Sequence, residues 1–154
     1  NADDNNDNKD FAGRAGFRWD HMWFGISGYS GKEKTGDRSR MGYESQYLRG
    51  PWKFQGEYMY GKTEPTAAGA SVRQKGYYVE ANYLRQSIRP GLRFQSWDPD
   101  RDASKNRQTE LTAGLDYLFT SNRKNKVTLN YTARFEEGPH IKNNEVLFQA
   151  QGAF

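Results

Sequence analysis

Apolar and polar residues alternate along most of this chain. In residues 126–136, Val127, Leu129, Tyr131, Ala133 and Phe135 share one face, and Thr128, Asn130, Thr132, Arg134 and Glu136 share the other. In the stretch before it, Leu111, Ala113, Leu115, Tyr117 and Phe119 oppose Glu110, Thr112, Gly114 and Asp116. GYYVEANYL sets Tyr77, Val79, Ala81 and Tyr83 against Tyr78, Glu80 and Asn82. GLRFQSW sets Leu92 and Phe94 against Arg93, Gln95 and Trp97. WKFQGEYMY sets Trp52, Phe54, Tyr58 and Tyr60 against Lys53, Gln55 and Glu57. RMGYESQYL sets Met41, Tyr43 and Tyr47 against Arg40, Glu44 and Gln46, and FAGRAGFRW sets Phe11, Ala15, Phe17 and Trp19 against Arg14, Gly16 and Arg18. The terminal NEVLFQAQGAF puts Val146, Phe148, Ala150, Gly152 and Phe154 opposite Glu145, Gln149 and Gln151. A ninth segment, MWFGISGYSG, is strand-like, but alternation does not assign its faces. A period of two is that of a strand with one apolar face. Frequent glycine and the missing 3.6-residue stripe exclude helices. The pattern predicts nine strands.

The connections alternate in length. Asp20–His21, Arg49–Gly50–Pro51, QSIRP and TSNRKN are short, whereas GKEKTGD (31–37), KTEPTAAGASVRQ (62–74), DPDRDASKNR (98–107) and EGPHIKNN (137–144) are longer. Such alternation predicts an antiparallel up-and-down meander with two unlike ends.

Composition changes what that meander faces. The 154 residues are 34 % hydrophobic and 27 % charged, with a mean hydropathy of −1.09. Such polarity suits disorder, yet 15 % of the chain is aromatic. One apolar and one wet face per strand reconciles the two. There is no Cys, so disulfides and thiolate metal sites are excluded. The start, NADDNNDNKD, has no basic n-region or apolar h-region of a signal peptide. No run approaches the roughly 18–20 apolar residues of a membrane helix. The first ten residues hold four Asp and one Lys; against +4 for the whole chain, the rest carries +7. A basic body suits anionic partners.

A soluble β protein competes with a transmembrane β-barrel. The polar face carries charge on nearly every strand, while the apolar face reads as peppered with Gly and Ala, a poor soluble core but acceptable against lipid. Trp19, Trp23, Trp52, Tyr60, Tyr77, Phe119, Phe135 and Phe154 sit near strand ends, where interfacial girdles of a membrane barrel lie. The barrel is preferred. With the last strand descending to the periplasm, every long connection falls outside the cell and every short one inside. Residues 1–10 then form an acidic, flexible extracellular segment, and residues 11–154 the spanning strands. Bacterial single-chain barrels have even strand numbers, so nine strands are expected to be the C-terminal part of a barrel of 16 or 18. An eight-stranded complete barrel with a structural, adhesin-like or surface-enzyme role is the competitor.

GLRFQSWDPD, LTAGLDYLFTSNRKNKVTLNYTARFEE and NEVLFQAQGAF resemble the C-terminal strands of Gram-negative porins, most of all the phosphate-selective porin O/P family, and YLRGPWKFQGEYMY and GYYVEANYL fit its style. The resemblance covers most of residues 11–154. It implies a sixteen-stranded, homotrimeric, water-filled channel for small anions, without a cofactor. The remaining N-terminal strands and outer-membrane lipid or lipopolysaccharide are the expected partners. The terminal aromatic, with Phe148 before it, resembles the signal read by the barrel-insertion machinery.

A pore needs a polar wall with a charge bias. The candidate wall residues are Arg14, Arg18, Arg38, Arg40, Lys53, Arg93 and Arg134, with Glu44, Glu57, Glu80 and Asp116. Arginine suits a phosphate through bidentate contacts. The plainer alternative is that these cations pair with Glu44, Glu57, Glu80, Glu110, Asp116 and Glu136. An enzyme is not expected: the two histidines, His21 and His140, fall at opposite ends of the meander. DDNNDN lacks the glycine turn and closing Glu of an EF-hand loop, so no metal is expected. Lys32, Lys34 and the basic residues of 101–107 suit lipopolysaccharide phosphates or plain solvated loops. Nucleic acid is disfavoured, because the cations are spread over many strands.

Overall fold

In a computed structural model the chain is a single antiparallel sheet. It describes residues 9–33, 36–65, 69–85, 87–119, 125–138, 141 and 143–152. The strands are β1 (Phe11–Trp19), β2 (Met22–Glu33), β3 (Gly36–Arg49), β4 (Trp52–Pro65), β5 (Val72–Tyr83), β6 (Ile88–Asp98), β7 (Gln108–Leu118), β8 (Lys126–Glu136) and β9 (Glu145–Gln151). Each pairs with its sequence neighbours, in the order β1 to β9. The nine expected strands are all present. The terminal strand β9 pairs with β8 and not with β1; these two are the sheet's edges.

The register assigns every face, because residues directly opposite across an antiparallel pair lie on the same side. Phe17 opposes Phe24, Ala15 opposes Ile26, and Arg18 opposes Trp23. The faces of β2 are thereby resolved, with Met22, Phe24 and Ile26 apolar-side and Trp23, Ser27 and Tyr29 polar-side. Trp23 thus leaves the expected girdle. A second expectation is also corrected. Gly13, Gly28 and Gly56 are on the apolar face, but Gly16, Gly25, Gly31, Gly42, Gly61, Gly76, Gly91 and Gly114 are on the polar one. Glycine is mostly a polar-wall residue here.

The longer connections are also corrected in part. β2 continues to Glu33 and β3 starts at Gly36, so the expected loop 31–37 is mostly strand, and β4 extends to Pro65. Backbone pairing is indifferent to side-chain polarity, so the ladder runs on through Lys32↔Asp37 and Lys62↔Arg73 after the apolar alternation stops. At the other end the turns are tight. Asp20 adopts φ 50° and Gly50 φ 57°, each the first residue of a two-residue connection. Aspartate tolerates this left-handed region better than most residues, and glycine enters it freely. The first turn is tied to β3 by Leu48 N–H to His21 O (2.9 Å), and the second to the residue just after β5 by Leu84 N–H to Pro51 O (2.7 Å).

Among the described residues only one apolar side chain, Leu118, is buried. Phe11, Phe17, Trp19, Val146 and Phe148 are 62–80 % exposed. A sheet with so wide an uncovered apolar face has no core in water. Its charges avoid that face except at strand ends: Lys32, Asp37, Arg49, Lys62, Glu64, Arg73, Lys75 and Asp98. On β4 the apolar face is free of charge over residues 52–60, matching the roughly 9–11 residues of a tilted spanning strand. Its turn-end border is a run of rings, Tyr47–Phe54 (6.3 Å), Phe54–Trp52 (5.9 Å) and Trp52–Tyr83 (5.0 Å). Trp19, Trp52 and Tyr60 keep their expected place at the borders.

Candidate functional site: the polar wall

The period of two puts every candidate wall residue on one face. Arg14, Arg18, Arg38, Arg40, Glu44, Lys53, Glu57, Glu80, Arg93, Asp116 and Arg134 all share it. The register adds Arg89, opposite Asp116, which the alternation around Pro90 had hidden.

The wall over β6–β9 is knitted together. Arg134 donates through Nε to Glu110 Oε1 (2.8 Å), through Nη2 to Glu145 Oε2 (2.6 Å) and through Nη1 to Asn143 O (2.7 Å). Gln95 donates to the other Glu110 oxygen. Asp116 accepts from the Thr128 hydroxyl and pairs with Lys126 (3.6 Å). Thr112 and Thr132 bond across the strands (3.0 Å). The guanidinium of Arg93 stacks on the Tyr78 ring, 4.1 Å from its centroid, and lies 3.9 Å from Glu80. The expected alternative, that cations pair within the wall, holds here for Arg93, Lys126 and Arg134; Arg89 is the exception, its Nε and Nη2 buried without a hydrogen-bond partner among the described residues.

Over β1–β5 bulky side chains lie flat on glycines. The Trp23 ring covers Gly16 and Gly25; a Cβ on Gly16 would sit 2.9 Å from it. Trp97 covers Gly76 in the same way, at 2.6 Å. Arg14 is held by Glu44, its Nε 2.7 Å from Oε1, and sits 5.1 Å over Trp23. Tyr29 donates to Asp10 (2.8 Å), which ties the end of the acidic segment to the wall. Arg18, Arg40 and Lys53 have no acidic partner among the described residues. Glu57 stands opposite Glu44, a like charge. Around Arg40 and Glu57 the wall dips into a hollow of about 840 Å³.

Beyond the wall, Arg73 makes a double contact with Asp102, through Nε at 3.1 Å and Nη2 at 2.5 Å. This holds the Asp102 carboxyl below the usual carboxylate range. The loop after β6 is also pinned by Arg101 N–H to Arg73 O (2.8 Å). His21 lies in the first turn; His140, DDNNDN and Phe154 lie outside the described residues. Phe148 is on the apolar face opposite Leu129. Among the described residues no cluster of three or more His, Cys, Asp or Glu side chains forms a metal site.

An antiparallel meander with an uncovered apolar face, an opposite charged wall and aromatic borders is the wall of a transmembrane β-barrel. The model of the Gram-negative porin family matches residues 1–134, and the chain belongs to that family. Its place is the bacterial outer membrane. No curated protein is significantly similar to it. Among solved structures it is similar to a porin refined at 1.8 Å, with a TM-score of 0.72 and 13 % identity over 92 % of this chain and 49 % of that one. It is also similar to a loop L8 deletion mutant of OmpT, an outer membrane protein of Vibrio cholerae, with a TM-score of 0.65 and 12 % identity over 80 % of this chain and 47 % of that one. The chain thus spans about half the length of the solved proteins it matches.

Proposed function

We propose that this chain forms about half the wall of a water-filled outer-membrane channel through which small hydrophilic solutes diffuse passively, its polar face lining the lumen. The observation that carries this is the pairing of an uncovered apolar face with an opposite wall of Arg, Glu, Asn, Gln and Thr, in a member of the porin family. The other strands of a 16- or 18-stranded barrel pair with the edges β1 and β9, since a lipid-exposed open edge leaves backbone groups unsatisfied. The complete barrel is a homotrimer set among lipid and lipopolysaccharide, and Phe148 with Phe154 belongs to its assembly signal. The long connections face outside and the tight turns face the periplasm.

The finer reading is a preference for small anions, phosphate among them. Its support is the basic body of the chain and the cations Arg18, Arg40 and Lys53, which have no acidic partner among the described residues. Reconstitution of the complete barrel in planar bilayers tests both levels. Stepwise conductance is expected, and its absence overturns the channel. A reversal potential showing Cl⁻ more permeant than Na⁺ is expected; equal permeability overturns the anion preference and leaves the channel standing.

A further inference from the structure

On the polar wall three successive rows of side chains run across β2, β3 and β4. The first holds Tyr29, Arg40 and Gly61; the second Ser27, Gly42 and Met59; the third Gly25, Glu44 and Glu57. The hollow lies over the second row and reaches Gln74 and Trp97. Its floor is low because Gly42 has no side chain, and the Ser27 hydroxyl lies over that floor, 2.6 Å from where a Cβ would be.

Two opposite charges flank that floor. The Arg40 stem crosses Gly61, with Cγ 3.6 Å from where a Cβ would be. Glu57 leans toward the middle row, its Oε1 3.7 Å from the Cβ position of Gly42. Neither has an ion-pair partner among the described residues. Arg14, the other cation lining the hollow, is committed to Glu44, and Glu44 faces Glu57 directly. The Glu57 charge is therefore uncompensated by its neighbours, and like charges opposite each other are unfavourable. Beside the floor are two apolar surfaces unusual for a wetted wall: Met59 and Trp97, each 41 % exposed.

From this we infer that the hollow is a binding station for a zwitterionic short peptide with an apolar side chain, which rests on the channel reading above. The carboxylate meets Arg40, the ammonium meets Glu57, and the side chain lies over Gly42 against Met59 and Trp97. A plain anion leaves Glu57 uncompensated, a plain cation leaves Arg40 so, and a sugar can hydrogen-bond to both but neutralises neither charge. The span sets the size. Consecutive rows on one face are about 7 Å apart, and Glu57 reaches into the row next to that of Arg40. Two extended residues cover about 7 Å, so a dipeptide bridges the two charges. The volume is that of a small-ligand site.

The test uses the complete barrel in planar bilayers with alanyl-leucine as probe, and two capped forms, N-acetyl-alanyl-leucine and alanyl-leucine amide. Alanyl-leucine is expected to interrupt the current in a saturable way. Each capped form, having lost one charge-assisted contact, should need about tenfold more peptide for the same block. Arg40→Gln should abolish discrimination against the amide, and Glu57→Gln should abolish discrimination against the acetylated form. Open steps in salt alone show that each variant has assembled. Steps indifferent to all three peptides, equal block by parent and capped forms, or wild-type discrimination in both variants overturn the inference and leave the channel intact. Free leucine blocking as well as the dipeptide overturns the assignment to a peptide. Absence of any conductance step is a failure of the channel reading instead.

Discussion

On β8, Arg134 reaches two carboxylates and a backbone carbonyl; on β3, Arg40 reaches none among the described residues. Both are arginines on the same face of the same sheet, and alternation alone ranks them equal. What separates them is the residue opposite. Arg134 faces Glu110, whereas Arg40 faces Tyr29 and Gly61. The wall of β7–β9 pairs its charges within itself, whereas Arg89 on β6 and Arg18, Arg40 and Lys53 on β1, β3 and β4 have no acidic partner among the described residues.

Removing the hub should mark that contrast most strongly. Arg134→Ala leaves Glu110 and Glu145 without their cation and is expected to give the largest loss of stability in the wall. Arg40→Ala should stay within about 0.5 kcal/mol. Urea unfolding from lipid vesicles measures both, and equal losses would erase the distinction. Next in size are the glycine seats. Gly76→Val drives a branched side chain into the Trp97 indole and should cost about 1–3 kcal/mol. It should also lower single-channel conductance by lifting the indole from the wall. Gly114→Val meets only the amide of Asn130, which can rotate away, and should cost less. A smaller effect is expected for the Arg14–Glu44 pair. Arg14 is 61 % exposed, so a double-mutant cycle should return under about 1 kcal/mol of coupling.

The smallest effect concerns the loop after β6. Asp102 is held below its ordinary pKa by hydrogen bonding from Arg73. A carboxyl depressed in the folded state adds stability above its unfolded pKa, near 3.9, and that contribution is lost as pH falls through the folded value. Hydrogen exchange at Arg101 N–H should therefore be slow from neutral pH down to about 4 and lose its protection below that. Asp102→Asn should remove that pH dependence.

The strands were legible because a half-wetted sheet writes its period of two into the sequence, and all nine segments are found. Their tops were not. Lys32, Asp37, Lys62 and Arg73 look like loop residues, yet the ladder continues through them, since its bonds come from the backbone. The wall residues were legible by parity, but their pairing was not. That Arg134 finds Glu110 while Glu57 finds Glu44 depends on register, which no single strand encodes. Trp23 was assigned to the lipid border by residue type and proximity to a strand end. Its neighbour across the sheet is Arg18, and it lies over Gly25. The signal available was the run of glycines at alternate positions of neighbouring strands, which marks seats for rings.

On the channel reading proposed above, those seats bear on how the bore can change. At Gly16, Gly25 and Gly76 the indoles lie flush with the wall because the residue beneath has no side chain to give up. Replacement at any of these positions adds atoms beneath a ring and moves that ring toward the centre. Random change here narrows the passage and cannot widen it at the glycine itself; widening has to come from the ring. The calibre of this wall is therefore an inherited upper limit, open to trimming at two tryptophans and to obstruction at every glycine beneath them.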